Sequence, residues 1–472
     1  MPKRNCHNID HARTLFRRVL CNPAVEALAR ETGFTQRRAR VASASSVTWA
    51  LLLALGGQLT RYISDVLRTL NAQEGTTLRY KPFWNRLARR GFPAFTKALF
   101  EQLCSSLTTR VLERQARSVT GRFSDILMDD GCSFAVADGL ADIFPGRFTK
   151  VKPAAVELHG HMSLLTGNFK RVSLAPDKEA ERQFVPAAEA LPANSLTLRD
   201  RGYIDTKYFA ALEQRETPAY LICRARRDIN PIIVNVLSGL RSRAARKWEG
   251  KRVKQLQSKK LKQHLDLLVE FKLSAKRSLR LRLVIRYVPE MRSWTWLLTN
   301  VPDDVDADAI STLYRLRWHI ELAFKDWKSD ASLRAFQSEQ RYIVEGLIWA
   351  SLCAAFLKRA IANWAQIITG TRVSMRLAAM SGAQLMPLLA RWARSRFSRS
   401  RLEEILDFML NNVLITHPER LPRSPMAAVG LKPRVPRQRL RLTTPTQRRS
   451  KFAYANFERP TRREGGRLGY NL

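Results

Sequence analysis

The segment from Ser124 to Arg224 changes its hydrophobic period several times, and this order of periods restricts the fold more than any other feature of the chain. Apolar residues alternate, as in strands, over residues 125–128, 133–136, 155–165, 169–174, 194–198 and 218–224. Helical spacing occupies residues 177–191 and 205–215. Three antiparallel strands followed by helix, strand, helix and strand predict an α/β fold, with helices packed on a mixed sheet.

The regions on either side of this segment have different patterns and predict separate domains. Residues 1–118 have apolar residues at helical steps and many arginines, which predicts a helical, DNA-binding N-terminal domain; a bundle that only packs is the alternative. The predicted core comprises residues 119–224 and 306–410. A basic, β-rich insertion is expected at 225–305, and a basic tail rich in proline and arginine at 411–472. The basic N-terminal surface is expected to carry Arg37, Arg38, Arg40, Arg61, Arg86, Arg89 and Arg90.

The charge of the chain indicates an anionic partner. It has 81 Lys and Arg against 41 Asp and Glu, a formal net charge of +40. Nucleic acid is the partner expected from such an excess, because basic side chains release counterions when they bind a phosphate backbone; a solvated basic surface is the alternative. The six cysteines are scattered, as reduced thiols would be, and we expect neither a signal peptide nor a membrane-spanning segment. A cytoplasmic protein is therefore expected.

Three carboxylates are the candidate chemical groups. Asp130 and Asp200 each follow a predicted central strand, and Glu321 lies on a later predicted helix. Sites in α/β sheets are built at strand ends. Carboxylates that converge are tolerated when divalent cations lie between them, and two such cations can clamp the oxygens of a phosphoryl transfer. Strand-end caps or ordinary ion pairs are the alternative for each aspartate, and Asp129 could replace Asp130 as the ligand.

The segment from Tyr314 to Lys328 adds polar groups around Glu321. On one continuous helix, Tyr314, Arg317, Glu321 and Lys328 fall at roughly 0°, 300°, 340° and 320°, which is one face. A metal ligand flanked by two cations and a phenol suits the binding of DNA phosphate beside a metal. A surface ion-pair network is the alternative, since Arg317 and Glu321 are four residues apart.

These motifs resemble a known family. The spacing of Tyr314, Arg317, Glu321 and Lys328 is that of the Tyr-Arg-Glu-Lys motif in the insertion-sequence-4 group of DDE transposases. Residues 130–134, Asp-Gly-Cys-Ser-Phe, resemble the strand of the family's first aspartate, and residues 200–203, Asp-Arg-Gly-Tyr, resemble the second-aspartate motif. The segments 144–147 and 155–159 are also similar to that group, and the resemblance covers roughly residues 120–350.

The resemblance implies a ribonuclease H-like catalytic core and a transposase of a bacterial insertion sequence. It implies two Mg²⁺ ions, which Mn²⁺ can replace, with Asp130, Asp200 and Glu321 as metal ligands. Tyr314, Arg317 and Lys328 would then contact DNA phosphates, and Arg201, beside the second aspartate, is a further candidate for the same role. The enzyme would cut the element ends and join the freed 3′-hydroxyl to target DNA, as a homodimer bound to both terminal inverted repeats and associated with the nucleoid. A catalytically inactive DNA-binding regulator or a metal-dependent nuclease of the same fold remains the alternative.

Two further pairs have ordinary explanations. His159 and His161 share a strand face but have no third ligand nearby in sequence, so we expect satisfied strand histidines. Trp294 and Trp296 are expected to be core residues, although a related transposase could use such a side chain to stack on a flipped base.

Overall fold

The structure is a computed structural model of the chain. It describes residues 6–36, 41–57, 62–239, 247–257, 264–288, 292–330, 336, 338–413 and 425–435. Four arginines of the predicted N-terminal basic surface, parts of the basic entry to the insertion and most of the predicted tail lie outside the described residues. The four arginines are Arg37, Arg38, Arg40 and Arg61.

A nine-stranded mixed sheet forms the centre of the fold. Its strands are β2 (Ile126–Ala135), β3 (Ala155–Ser163), β4 (Asn168–Pro176), β5 (Leu196–Arg199), β6 (Tyr220–Arg224), β7 (Ile232–Ser238), β8 (Leu265–Lys272), β9 (Ser278–Val288) and β10 (Ser293–Thr299). Their order in the sheet is β4-β3-β2-β5-β6-β10-β9-β8-β7. Strands β4, β3 and β2 are antiparallel neighbours, whereas β5 and β6 are parallel to β2. Three antiparallel strands followed by two parallel ones give the ribonuclease H-like order, so the predicted fold class is confirmed.

The strands of the predicted insertion continue this sheet. Strand β10 pairs antiparallel with β6, and β9, β8 and β7 follow outward. A short helix, α8 (Val253–Gln257), interrupts them. Within them, Arg282 and Asp266 form a buried ion pair, in which both side chains are at most 5% exposed. A small second sheet pairs β1 (Leu112–Arg114) with β11 (Leu431–Pro433).

Helices cover both faces and fill the rest of the fold. They are α1 (Cys6–Leu20), α2 (Asn22–Glu31), α3 (Ala44–Gly56), α4 (Ile63–Glu74), α5 (Tyr80–Leu87), α6 (Gly91–Leu107), α7 (Thr206–Glu213), α9 (Ala307–Arg315), α10 (Trp318–Asp330), α11 (Arg341–Thr369), α12 (Met375–Met380), α13 (Gly382–Arg394), α14 (Arg399–Asn412) and α15 (Pro425–Ala428). Helix α11 packs on α6 and α3, so the N-terminal helices share one apolar core with the C-terminal ones. Among the helices in the described ranges, none is long and apolar enough to cross a bilayer.

Between Ser124 and Leu191 the structure differs from the prediction in one element. The two alternating runs around Asp129 lie in one strand, β2, with which β3 pairs from Leu127 to Ala135. The helix expected over residues 177–191 is absent, and two 3₁₀ turns, Glu181–Gln183 and Ala188–Ala190, take its place. Pro186 lies between these turns; a proline inside a helix removes one hydrogen bond and clashes with the preceding turn.

Candidate active site

The sheet brings Asp130 and Asp200 side by side. In the parallel pairing of β2 with β5, Asp129 lies opposite Arg199, and β5 ends there. Asp130 and Asp200 are the next residue on each strand. The sequence predicted that Asp130 ends its strand. It lies instead within β2, at the point where the parallel pairing with β5 stops. Both side chains are partly buried, with 17% of Asp130 and 35% of Asp200 exposed.

The segment that carries Glu321 is two helices and not the single helix predicted. Helix α9 ends at Arg315 and α10 begins at Trp318. The junction is tightened by hydrogen bonds of the i to i+3 kind, from Leu316 N to Leu313 O and from Arg317 N to Tyr314 O, both 3.0 Å. The angles calculated for one continuous helix are therefore wrong.

Three of the four motif residues nevertheless converge on the aspartates. The Tyr314 hydroxyl donates to Asp200 Oδ1 at 3.0 Å. Arg317 donates from Nη1 to Asp130 Oδ2 at 2.8 Å and from Nη2 to Glu321 Oε1. Only 11% of the Arg317 side chain is exposed. One buried guanidinium therefore lies between a strand aspartate and the helix glutamate, and its neighbour on α9 binds the other aspartate.

The charges of this cluster are strongly coupled. Burial, aided by Glu321 and Asp200, raises the pKa of Asp130 to about 6 against the opposing effects of Arg317 and of the Gly131 N–H. Burial would also raise the pKa of Asp200, but Arg317, the backbone N–H of Arg201 and the Tyr314 hydroxyl hold it below its ordinary value. Burial alone would lower the pKa of Arg317, but Tyr314 and the three carboxylates raise it. The carboxylates thus repel one another unless a cation stands between them.

Lys328 and Arg201 lie at the margins of this cluster. Lys328 is on α10, near enough to the Cys132 thiol of β2 to favour the thiolate, although burial dominates and raises the pKa of Cys132 to about 11. Arg201 is exposed on the 3₁₀ turn Arg201–Tyr203 that follows Asp200. Arg224, which the sequence did not single out, lies 3.6 Å from Asp200 Oδ1. The only feature of the sequence that could have indicated Arg224 is its position at the end of β6, the next parallel strand.

Asp129 belongs to a different network. It is 3% exposed, and its two carboxylate oxygens lie 2.6 Å from Arg199 Nε and 2.6 Å from His161 Nδ1. Burial would raise the pKa of Asp129, but Arg199 and His161 lower it to about 2. Arg199 also donates to the Tyr208 hydroxyl at 2.9 Å. Asp129 therefore has its own partners within the fold, Arg199 and His161, whereas Asp130 faces the cluster of Arg317 and Glu321.

The other residues named from sequence lie outside the cluster. His159 is buried with its ring stacked on Phe184, the centroids 4.0 Å apart. The family-like segments 144–147 and 155–159 are joined by an ion pair of 3.2 Å between Arg147 and Glu157. Trp296 is 6% exposed in the core. Trp294 is half-buried beside Tyr287 and His264, with ring centroids 5.6 and 5.5 Å away.

The donor set fits divalent cations. In the part of the chain that the structure describes, no three His, Cys, Asp or Glu side chains are close enough to hold a metal as they stand. The Arg317 guanidinium accounts for this, because it already lies between Asp130 and Glu321. Asp130, Asp200 and Glu321 offer hard carboxylate oxygens, the ligands that Mg²⁺ and Mn²⁺ prefer.

Comparison with known proteins places the chain in a family. A family model described as the Transposase DDE domain matches residues 141–357, a range that includes Asp200 and Glu321. The transposase for insertion sequence element IS231B of Bacillus thuringiensis subsp. berliner is 22% identical over 384 residues, which are 73% of this chain and 78% of the relative. The transposase for IS231E of Bacillus thuringiensis subsp. finitimus is 25% identical over 377 residues, 71% and 76% of the two chains.

A local similarity and a similar solved structure complete the comparison. The putative transposase InsL for insertion sequence element IS186A of Escherichia coli (strain K12) is 45% identical over 62 residues, 13% of this chain and 17% of the relative. A cryo-EM structure of a piggyBac transposase synaptic complex with hairpin DNA has a TM-score of 0.41 and 11% identity, and covers 89% of this chain and 88% of that one. From the matched domain and the insertion-sequence relatives, the chain is a DDE transposase of a bacterial insertion sequence of the insertion-sequence-4 type, a metal-dependent enzyme that cuts DNA and transfers its strands.

Proposed function

We propose that Asp130, Asp200 and Glu321 hold two Mg²⁺ ions, which Mn²⁺ can replace, and that this centre cuts the element ends. The observation that carries the proposal is the convergence of all three carboxylates on the Arg317–Tyr314 pair. When bound, such ions activate water and stabilise the attacking and leaving oxygens of an in-line transfer. The position of Asp129 in its own ion-pair network supports Asp130 as the ligand.

The protein side chains supply the DNA contacts in this proposal. With divalent cations bound, Asp130 and Glu321 would no longer need Arg317 as their counter-charge. Its planar guanidinium would then be free to bind a phosphate through two hydrogen bonds. Tyr314 can donate from the other side, and Lys328 and the exposed Arg201 extend the basic margin. Helices within residues 1–118 would add further DNA contacts as a DNA-binding domain.

The proposed reaction has two phosphoryl transfers. Water attacks a phosphodiester at the element end, the bond to the 3′ oxygen breaks, and a 3′-hydroxyl is released. That hydroxyl then attacks a phosphodiester of target DNA, so that one new bond forms as one is broken. Both terminal inverted repeats must be held together, which a homodimer achieves. The proposal places this reaction on the nucleoid, in the cytoplasm.

A strand-transfer assay tests this function. The substrate is a DNA that carries the terminal inverted repeats flanking the gene, supplied with Mg²⁺ and a target plasmid. We expect nicks at the element ends followed by joined products. Nicks without joined products would show a nuclease instead, and binding without nicks would show a regulator.

Lys328→Ala is expected to weaken binding to element-end DNA and to reduce the salt dependence of binding. Loss of one phosphate contact should lower the slope of log affinity against log salt by about one. The measurement is fluorescence anisotropy of labelled end DNA over a range of salt concentrations. Lys207→Ala, an exposed lysine on α7, is the matched control. An unchanged slope in Lys328→Ala would place Lys328 away from the DNA backbone.

A further inference from the structure

Behind the candidate active site, on the other side of α10, lies a cavity of about 440 Å³. Four residues of α10 line it: His319, Leu322, Ala323 and Asp326. On a helical wheel with His319 at 0°, these four fall at roughly 0°, 300°, 40° and 340°, whereas Glu321 and Lys328 fall at roughly 200° and 180°. One helix therefore presents the candidate catalytic residues on one face and this cavity on the opposite face.

The polar lining of the cavity is strongly basic. Four arginines contribute to it from three parts of the chain: Arg359 from α11, Arg372 and Arg376 from just before and within the start of α12, and Arg434 next to β11. Asp326, the acidic residue in the lining, lies 3.6 Å from Arg359 Nη1. Within the described residues, Arg372, Arg376 and Arg434 have no carboxylate at ion-pair distance. The cavity thus has an excess of three positive charges and suits an anion.

Two buried donors in the lining lack partners. Asn363 is 3% exposed, and its Nδ2 has no hydrogen-bond partner among the described residues. The same holds for Arg359 Nε, whose guanidinium packs against Gly167. Burial also lowers the pKa of Arg359, although Asp326 opposes this effect. Buried donors without acceptors are costly, and oxygens of a bound anion would satisfy them.

The remaining wall of the cavity is apolar. Its apolar side chains include Val111, Leu164, Leu322, Val373 and Met426. A small inorganic anion would leave this wall unused. Ligand sites are commonly cavities of this size, mostly apolar, with a few convergent polar groups that fix the orientation of the ligand.

We propose that this cavity binds a nucleotide, with its phosphate at the arginines and its base against the apolar wall. The nucleotide is either free or part of a DNA strand. None of the proposed metal ligands lines the cavity, so the inference goes beyond the proposed cleavage chemistry and does not depend on it. A nucleotide bound in this cavity contacts the face of α10 that lies opposite Glu321.

The test uses the full-length protein in EDTA, with a fluorescent N-methylanthraniloyl derivative of ATP as the probe. We expect saturable binding to one site. Arg376→Ala combined with Arg434→Ala should weaken it at least about tenfold, because charge-assisted hydrogen bonds to the phosphate are lost. Both arginines are exposed, so their loss leaves the core intact. Arg391→Ala with Arg394→Ala, an exposed pair on α13, is the matched control and should bind as the wild type does.

The remaining arms identify the source of the nucleotide and separate this site from the cleavage centre. Displacement of the probe by a short single-stranded oligonucleotide identifies a DNA strand as the ligand, and no displacement identifies a free nucleotide. Glu321→Gln should leave probe binding unchanged even if the proposed metal centre is wrong. Three results would overturn the proposal: no saturable binding of the probe, wild-type affinity in the Arg376→Ala/Arg434→Ala variant, or equally weakened binding in the control variant.

Discussion

Asp129→Asn is expected to destabilise the protein by about 3–5 kcal/mol, whereas Asp130→Asn should leave it folded but abolish cleavage. Asp129 is the buried partner of Arg199, whose side chain is 1% exposed, and asparagine leaves that guanidinium without a counter-charge. Asp130 is different, because burial and its carboxylate neighbours already disfavour its charged form. Its neutralisation therefore costs little stability but removes a proposed metal ligand.

The two variants serve as controls for each other, since they make the same chemical change at adjacent residues. Urea denaturation gives the free energy of unfolding, and nicking of end DNA gives activity. A folded, active Asp130→Asn enzyme would show that Asp130 does not bind the metal. An Asp129→Asn variant as stable as the wild type would remove the structural role assigned to Asp129.

Glu321→Gln should reduce cleavage at least about a thousandfold while DNA binding stays nearly intact. The amide keeps the size of the side chain but removes the charge needed to hold a cation. Losing several kcal/mol of transition-state stabilisation corresponds to a rate loss of this size. Binding should survive because the phosphate contacts proposed for the site come from Tyr314, Arg317 and Lys328.

The measurement for Glu321→Gln combines single-turnover nicking with anisotropy of labelled end DNA. Glu403→Gln is the control, because Glu403 is a partly exposed glutamate of α14 that pairs with Arg399 in the same i, i+4 manner. Cleavage by Glu321→Gln at the wild-type rate would show that the glutamate has been assigned wrongly. Loss of DNA binding together with cleavage would show instead that Glu321 mainly orders Arg317.

The sequence predicted the order of strands and helices along the chain because strand and helix differ in hydrophobic period. The prediction failed at residues 177–191, where the apolar residues have helical spacing but Pro186 prevents a helix. The break after Arg315 had no such signal, since neither glycine nor proline occurs there. It arises from tertiary packing: α9 packs on β6 and β9, whereas α10 packs on β2. A helical-wheel projection that assumes one continuous helix cannot represent this break between α9 and α10.

The candidate site was predictable to the extent that it depends on strand ends and motif spacing. Asp200 follows β5, and Asp130 follows the part of β2 that pairs with β5, so parallel pairing brings them together. The roles of Asp129 and Asp130 could not be separated from sequence, because the partners of Asp129 lie 32 and 70 residues away. The cavity behind α10 was equally hidden, since its arginines come from distant parts of the chain.

The central claim is that Asp130, Asp200 and Glu321 bind the divalent ions that cut DNA. Replacing each with cysteine in turn tests it most directly, because a thiolate ligand disfavours Mg²⁺ and tolerates the softer Mn²⁺. We expect all three variants to be inactive on end DNA in Mg²⁺ and to recover nicking in Mn²⁺, whereas Arg317→Cys should not recover. Variants that stay inactive in Mn²⁺ while folded and bound to DNA, or recovery of Arg317→Cys to the same degree, would contradict the assignment.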